Sequence, residues 1–377
     1  MLIIKTMQGL EPVLAAELEA LGATDIRLLK RAVSCEGDQR LMYRANYELR
    51  SALRILKPFH SFQASDERQF YNQIYKFDWS QYLDPTDTLA IDSTVASVHF
   101  RHSQYMALLT KDAIVDQFRD RSGRRPSVNL EAPTLRIHLR IHGAQCDLLL
   151  DTSGDSLHKR GYRRDVAEAP LNEVLAAGLI LLSGWDGKST FVDPMCGSGT
   201  LPIEAAMFAM QIPPQYKRES FGFFRWKDFD KKLWQEVKSN ADARIQPAAC
   251  AIYGSDMDPR ARNTTTINLF SAGLEKVVQV EKIAFEKLTP PEPPGLLLTN
   301  PPYDERIKVD DVAAFYKSIG DQLKQHWAGW QAWLISSNLE AWKKFGLRPS
   351  RKITLYNGSL ECYFQKYELY AGKKYGS

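Results

Sequence analysis

The chain has 377 residues, 44% hydrophobic and 25% charged, which predicts two or three domains with enough apolar material for their cores. Its longest apolar runs, such as "VLAAGLILL" (174–182), are too short to span a bilayer, and its start lacks the basic, apolar and small-residue zones of a secretory leader, so neither is expected. Net charge is only +4, with 23 Lys/Arg against 20 Asp/Glu in residues 1–164 and 26 against 25 beyond, so bulk charge announces no polyanionic partner.

Residues 1–60 read as strand, helix, strand material, helix and strand. "GLEPVLAAELEALG" places Leu10, Val13, Leu14, Leu18 and Leu21 on one side of a helix, with Gly22 as its stop. The order resembles a ferredoxin-like α+β unit. Residues 61–157 form a second module. In "LRIHLRIHG" (135–143), Leu135, Ile137, Leu139 and Ile141 alternate strictly with Arg136, His138, Arg140 and His142, so one face is apolar and the other basic. From 158 to 377 strand–helix pairs repeat, which predicts a parallel, doubly wound α/β domain. Residues 211–247, rich in aromatics and Lys, interrupt that alternation as an insertion.

Five scattered cysteines (Cys35, Cys146, Cys196, Cys250, Cys362) form no CxxC, which argues against zinc and disulfides and for a reducing cytoplasm. His99 and His102 lack partners at metal spacing, and Cys196 has no neighbouring base, so no metal site and no thiol nucleophile are expected.

Ligands of a doubly wound sheet sit at the carboxyl ends of its strands. Three such ends carry distinctive residues. In "FVDPMCGSGT" (191–200), Gly197 and Gly199 allow a tight turn and close backbone approach, and the following helix offers free N–H groups. Asp193 directly before the turn would repel a pyrophosphate but attract a cation. A zwitterionic amino-acid moiety satisfies both ends, and S-adenosylmethionine carries one. In "YGSDMDP" (253–259), Asp256 can take the hydroxyls of a ribose and Met257 can pack on an adenine face, while Asp258 with Pro259 reads as a helix cap. In "LLLTNPPYDERI" (296–307), two prolines stop a buried strand at Asn300. If the Asn300 side-chain oxygen and the Pro301 carbonyl accept N–H bonds from a planar amine, its lone pair turns toward a methyl donor with no strong base required. Pro302 helps fix the carbonyl, and Tyr303 offers a ring for stacking.

The ordered set "DPMCGSGT", "GSDMDP" and "TNPPYDER" resembles class I methyltransferases acting on planar amino groups. "LDTSGDSLHKRGYRRDVAEAPLNEVLAAGLI" (150–180) and "FGFFRWKDFD" (221–230) narrow the resemblance to THUMP-containing RNA methyltransferases, and within them to the RlmL-like 23S rRNA guanine-N2 group. It covers essentially the whole chain. It implies a Rossmann-like methyltransferase domain at 158–377 after a ferredoxin-like unit (1–60) and a THUMP RNA-binding module (61–157). It implies that Asp193, Pro194, Cys196, Gly197, Ser198, Gly199 and Thr200 line the methionine end of the cofactor, with Leu171 over it. Asp256 and Met257 would hold ribose and adenine. Relatives often place an acid where this chain has Ala284, next to Phe285. Backbone there, or Glu281 or Glu286, would have to take its part. Asp304 stands where relatives commonly have Gly. Some members carry a second methyltransferase domain; with the sequence ending at Ser377, that activity is expected to be absent. RNA is the implied partner, large-subunit ribosomal RNA before tRNA. Adenine N6 in DNA or RNA, a glutamine amide, and a non-catalytic RNA scaffold stay open as alternatives.

"HKRGYRR" (158–164) is the densest basic cluster, and Lys159, Arg160, Arg163 and Arg164 are candidate phosphate contacts at the domain junction; a solvated linker is the alternative. "RDRSGRR" (119–125) at a helix end could contact RNA or equally complement the helix dipole, and the Arg136, His138, Arg140 and His142 row could face RNA, though a solvated or helix-covered face is favoured.

Overall fold

The computed structural model describes residues 1–164, 170–302 and 309–371. The first unit runs β1 (Leu2–Lys5), α1 (Glu11–Ala20), β2 (Thr24–Leu29), β3 (Ala32–Glu36), α2 (Gln39–Glu48) and β4 (Arg54–Gln63). The sequence order β-α-β-β-α-β folds as expected into an antiparallel sheet ordered β2-β3-β1-β4. Asp38 starts α2 by accepting from the Leu41 N–H, satisfying a donor the helix cannot.

The second module runs α3 (Glu67–Lys76), β5 (Thr88–Ala96), α4 (Ser103–Ser122), β6 (Ser127–Val128), β7 (Leu135–His142) and β8 (Gln145–Asp151). β4 pairs antiparallel with β8, from Leu56↔Asp151 to Gln63↔Gln145. The two units therefore share one eight-stranded sheet, and the division at residue 60 falls inside a strand that serves both. Leu135, Ile137, Leu139 and Ile141 are buried, as the alternation requires. The basic row opposite is largely engaged within its own sheet. Arg136 pairs with Asp92 at 3.1 Å, Arg140 with Asp147 at 2.8 Å, and His138 Nε2 meets Thr94 Oγ1 at 3.2 Å.

The third unit runs α5 (Glu173–Ser183), β9 (Thr190–Asp193), α6 (Thr200–Ala209), α7 (Lys231–Asp242), β10 (Ile252–Asp256), α8 (Pro259–Ala272), β11 (Val278–Lys282), β12 (Gly295–Thr299), α9 (Val309–His326), β13 (Gln331–Ser336), α10 (Leu339–Lys344), β14 (Arg351–Asn357) and β15 (Leu360–Glu368). Its sheet is ordered β11-β10-β9-β12-β13-β15-β14. One apolar cluster gathers α5, α6 and α8 on one face, and another gathers α9 and α10 on the other. β9 to β13 run parallel, but β15 is antiparallel to β13 and β14, so the all-parallel expectation fails at this edge. A tight turn after Asn357, with Gly358 at φ +66°, folds β14 and β15 into a hairpin.

The 211–247 insertion is no surface loop. Phe223 and Trp234 pack against Tyr43 of α2 at 4.5 and 6.0 Å, and Tyr47 donates to Asp242 at 2.7 Å. Gly222 lies so close to the end of β8 that a Cβ there would come within 2.5 Å of the Asp151 carbonyl. Leu10 likewise fills the gap over Gly178 of α5, where a Cβ would meet its methyl at 2.6 Å. Burial of large apolar side chains contributes roughly 1.5–3 kcal/mol each, so these contacts weld the units together.

Candidate active site

Strand order reverses between β9 and β12: β10 and β11 leave to one side, β12 and β13 to the other. That reversal opens a crevice at the carboxyl ends of the two strands. Asp193 ends β9 and Thr299 ends β12, and the Thr299 hydroxyl donates to Asp193 Oδ1 at 2.7 Å. The Met195 N–H donates to the same oxygen at 3.2 Å. Asp193 is 1% exposed. Burial pushes its carboxyl up to about 7, against the two hydrogen bonds and with a further push from Asp256. A cation brought into the crevice would draw it to the charged form.

The turn that follows is held from two sides. Cys196 N–H donates to the Ser255 carbonyl at 2.9 Å, and Ser255 Oγ to the Pro194 carbonyl at 3.3 Å. Gly197 N–H donates to Asp256 Oδ2 at 3.0 Å, and Asp256 Oδ1 accepts from Asp258 N–H at 2.9 Å. Gly199 has φ +81°, and a Cβ on it would press within 2.6 Å of Thr265. A Cβ on Gly197 would meet nothing within 4 Å, so the backbone there faces open space. α6 begins at Thr200 with no side chain capping its N-terminus, which leaves N–H groups for an anionic ligand. Ser198 and Thr200 are buried, with their hydroxyls 3.4 Å apart.

Two residues of α8 that the sequence reading passed over hold this turn. Thr265 donates to the Gly197 carbonyl at 2.7 Å, and Asn268 Nδ2 to the Ser198 carbonyl at 3.1 Å. Both are fully buried. The available signal was polar residues in "NTTTINLF" on the inward side of a helix, because buried polar groups need partners. Thr299 was likewise missed. Asp258 caps α8 through the Arg260 N–H at 2.9 Å, with Pro259 in the first turn, as expected.

Met257 stands beside Asp256 and is 69% exposed. Ala284 and Phe285 follow β11, and Ile283 N–H, donating to the Asp256 carbonyl at 3.1 Å, keeps that segment beside the β10 tip. The Phe285 ring is 3% exposed and packs on Trp327 at 5.8 Å, so its side chain is core and only its main chain is left for a ligand. Glu286 accepts from Ser318 on α9 and Glu281 is exposed on β11. Leu171 is buried, in the cluster with α5. Just past β12, Asn300 is half-buried, Pro301 buried and Pro302 half-buried. Tyr303 and Asp304 lie outside the described residues.

The basic cluster divides. Arg160 is fully buried, pairs with Glu204 at 3.4 Å and donates to the Leu157 carbonyl at 2.6 Å; Tyr162 donates to the same Glu204 at 3.1 Å. Arg163 reaches inward: Nε meets Glu173 at 2.8 Å, while Nη2 meets the Leu171 carbonyl and Thr200 Oγ1, both at 3.1 Å. Arg160 therefore cannot face RNA as expected, while Arg163 is half-buried with its guanidinium engaged by Glu173, Leu171 and Thr200. A run of cations in sequence does not tell which ones a bending linker turns inward. Lys159 and Arg164 stay exposed. The Cys196 thiol is pushed far up by burial, which fits a packing role. Among the described residues no His, Cys, Asp and Glu cluster could hold a metal, and no helix is long and apolar enough to cross a membrane.

The fold and crevice define a Rossmann-like methyltransferase domain carried behind a fused two-unit sheet. The family model described as "RMKL-like, methyltransferase domain" matches residues 160–366, and those for the RlmL ferredoxin-like domain and the THUMP domain match 1–56 and 64–151. The chain belongs to this RMKL-like methyltransferase family. A candidate RNA methyltransferase of Synechocystis sp. is 39% identical over 96% of this chain and 95% of its own length. The ribosomal RNA large subunit methyltransferase K/L of Syntrophotalea carbinolica is 38% identical over 98% of this chain and 54% of its own length. The chain thus spans about half the length of the K/L relatives it matches. The solved structure of SMU.472, a candidate methyltransferase complexed with SAH, superposes with a TM-score of 0.88 at 30% identity, covering 99% of this chain and 98% of that one.

Proposed function

We propose that the protein transfers a methyl group from S-adenosylmethionine to the exocyclic N2 amine of a guanine in large-subunit (23S) ribosomal RNA, in the cytoplasm. The observation that carries this reading is the Thr299–Asp193 bond of 2.7 Å, which ties the acid-and-glycine turn to the strand tip bearing Asn300 and Pro301. Cofactor site and amine site are thereby adjoining strand ends.

The residues present fit the cofactor. Asp193 is a buried carboxylate suited to an ammonium, and the uncapped N-terminus of α6 suits a carboxylate, the two charges of an amino-acid moiety. Asp256 holds one N–H bond on each oxygen and keeps lone pairs for ribose hydroxyls. When bound, S-adenosylmethionine supplies a methyl group on a positively charged sulfur. The chain's own part is to orient the attacking nitrogen. The Asn300 side-chain oxygen and the Pro301 carbonyl accept its two N–H groups, which localises the lone pair otherwise spread into the base. No residue needs to act as a strong base.

The THUMP match at residues 64–151 and the K/L relatives support RNA, and ribosomal RNA in particular, as the carrier of that amine. The test is incubation with labelled S-adenosylmethionine and unmodified total RNA, then digestion to nucleosides. N2-methylguanosine from large-subunit RNA is the expected product. Label confined to tRNA, or appearing as N6-methyladenosine, would overturn the assignment.

A further inference from the structure

A cleft of about 410 Å³ opens where three distant segments meet: 131–136 of the THUMP module, 154–164 of the junction, and 217–225 of the insertion. Six cations line it, Arg136, Lys159, Arg164, Lys217, Arg218 and Arg225, against the acids Glu131, Asp155 and Glu219.

Three of these cations build the walls. Arg225 Nη1 donates to the Pro133 carbonyl at 2.9 Å, bridging insertion and THUMP module. Arg136 is paired with Asp92 at 3.1 Å. Arg218 donates to the Ser153, Asp155 and Ser156 carbonyls at 2.9, 2.6 and 3.2 Å. These partners are neutral oxygens, so its charge is not cancelled by a carboxylate in contact. Burial lowers its pKa to about 10, which still leaves it protonated at neutral pH.

The other three, Lys159, Arg164 and Lys217, are exposed. Gly161, φ +93°, packs beneath the Lys217 backbone; a Cβ on it would lie 3.3 Å from the Lys217 carbonyl. The two strands of the rim are thereby held side by side. Arg164 Nε reaches Ser271 at 3.4 Å, and Lys217 Nζ comes within 3.9 Å of a Cβ built on Gly273, so both flank the C-terminal end of α8. Lys159 has Asp155 at 3.3 Å, an exposed pair that contributes little and is readily exchanged.

We propose that this cleft grips the sugar-phosphate backbone of the RNA substrate, which makes the 211–247 insertion part of the RNA-binding surface. The inference rests on the RNA reading above and adds to it which segments hold the chain. Cations drawn from three segments suit a polyanion that crosses all of them. The cleft's aromatic ring, Phe221, is 1% exposed and stacked under Arg218 at 5.1 Å, so it offers no platform for a base. Contacts here would set affinity and register, with no reading of sequence.

The experiment compares Lys217→Ala and Lys217→Glu with wild type, measuring Kd for a large-subunit RNA fragment between 50 and 200 mM KCl. Lys217→Ala should weaken binding about fivefold and flatten the plot of log K against log salt by about 0.7–0.9, the loss of one phosphate contact. Lys217→Glu should weaken it more. KM for RNA should rise in step, while kcat, affinity for S-adenosylhomocysteine and melting temperature stay at wild-type values. Unchanged Kd and slope, or a kcat loss at constant KM, would overturn the proposal. A wild-type enzyme that methylates no RNA would instead sink the functional reading itself, so the two failures are distinguishable.

Discussion

Replacing Asp193 by Asn should make the ligand-free protein more stable and less able to bind its cofactor. The Asn side-chain oxygen can keep both donors that Oδ1 now accepts, Thr299 at 2.7 Å and Met195 at 3.2 Å. What disappears is a charge buried without a cationic partner. Its pKa rises from 3.8 to about 7 on folding. The folded state thus holds its proton longer than the unfolded chain. Stability is greatest below about pH 4, falls as pH rises toward about 7 and is level above. The full difference is on the order of 4 kcal/mol, an upper bound because water entering the crevice screens the charge. Asn cannot ionise, so the variant gains that amount relative to wild type at pH 8 and almost nothing at pH 4. For a unit of this size each kcal/mol moves Tm by about 2–4 °C, so the gain at pH 8 is at most roughly 8–16 °C. Calorimetric titration with S-adenosylhomocysteine at pH 8 should show the opposite sign, a loss of about 100-fold, because the carboxylate that cost stability is the one proposed to hold the ligand's ammonium. Melting curves of both proteins at several pH values, beside that titration, check the reasoning. A Tm difference independent of pH, or a destabilised Asn variant at pH 8, would refute it.

On the proposed mechanism, Asn300→Ala should lower kcat by about 10²–10³ and leave cofactor affinity nearly intact, since it removes the contact proposed to orient the reacting amine; single-turnover rates would decide. Gly199→Ala forces a side chain into a positive-φ position within 2.6 Å of Thr265. It should cost about 1–3 kcal/mol and spoil the turn, seen as a joint fall in Tm and in S-adenosylhomocysteine affinity. Arg163→Ala leaves Glu173 buried without its partner and frees Thr200 and the Leu171 carbonyl. Denaturant titration should register a loss of about 3 kcal/mol, and Arg163→Lys should not restore it, because one ammonium cannot replace the fork.

Much of this protein can be read locally. Strict alternation fixed the buried face of β7, the order of strands and helices fixed the ferredoxin-like unit and the parallel part of the methyltransferase sheet but not its antiparallel β14–β15 edge, and Asp258–Pro259 announced a helix start. Such features depend on a residue and its near neighbours in sequence, so local physical chemistry suffices. The motifs "DPMCGSGT", "GSDMDP" and "TNPPY" named three strand tips for the same reason. What they could not give was how the tips are joined. Thr299 bonds to Asp193 across 106 residues, Gly197 to Asp256 across 59, and Asn268 to Ser198 across 70. Nor could the sequence tell that Arg160 and Arg163 point inward while Lys159 and Arg164 point out. The insertion shows the same limit. Its aromatics looked like an interruption until Trp234 was found against Tyr43 and Tyr47, at 6.0 and 5.5 Å. Sequence alone determined many of the elements and proposed the chemistry at three strand ends, because periodicity, capping and chain stiffness act over a few residues. The tertiary structure decided which polar groups meet and which charges are buried, because desolvation and hydrogen-bond geometry depend on packing between segments far apart in the chain.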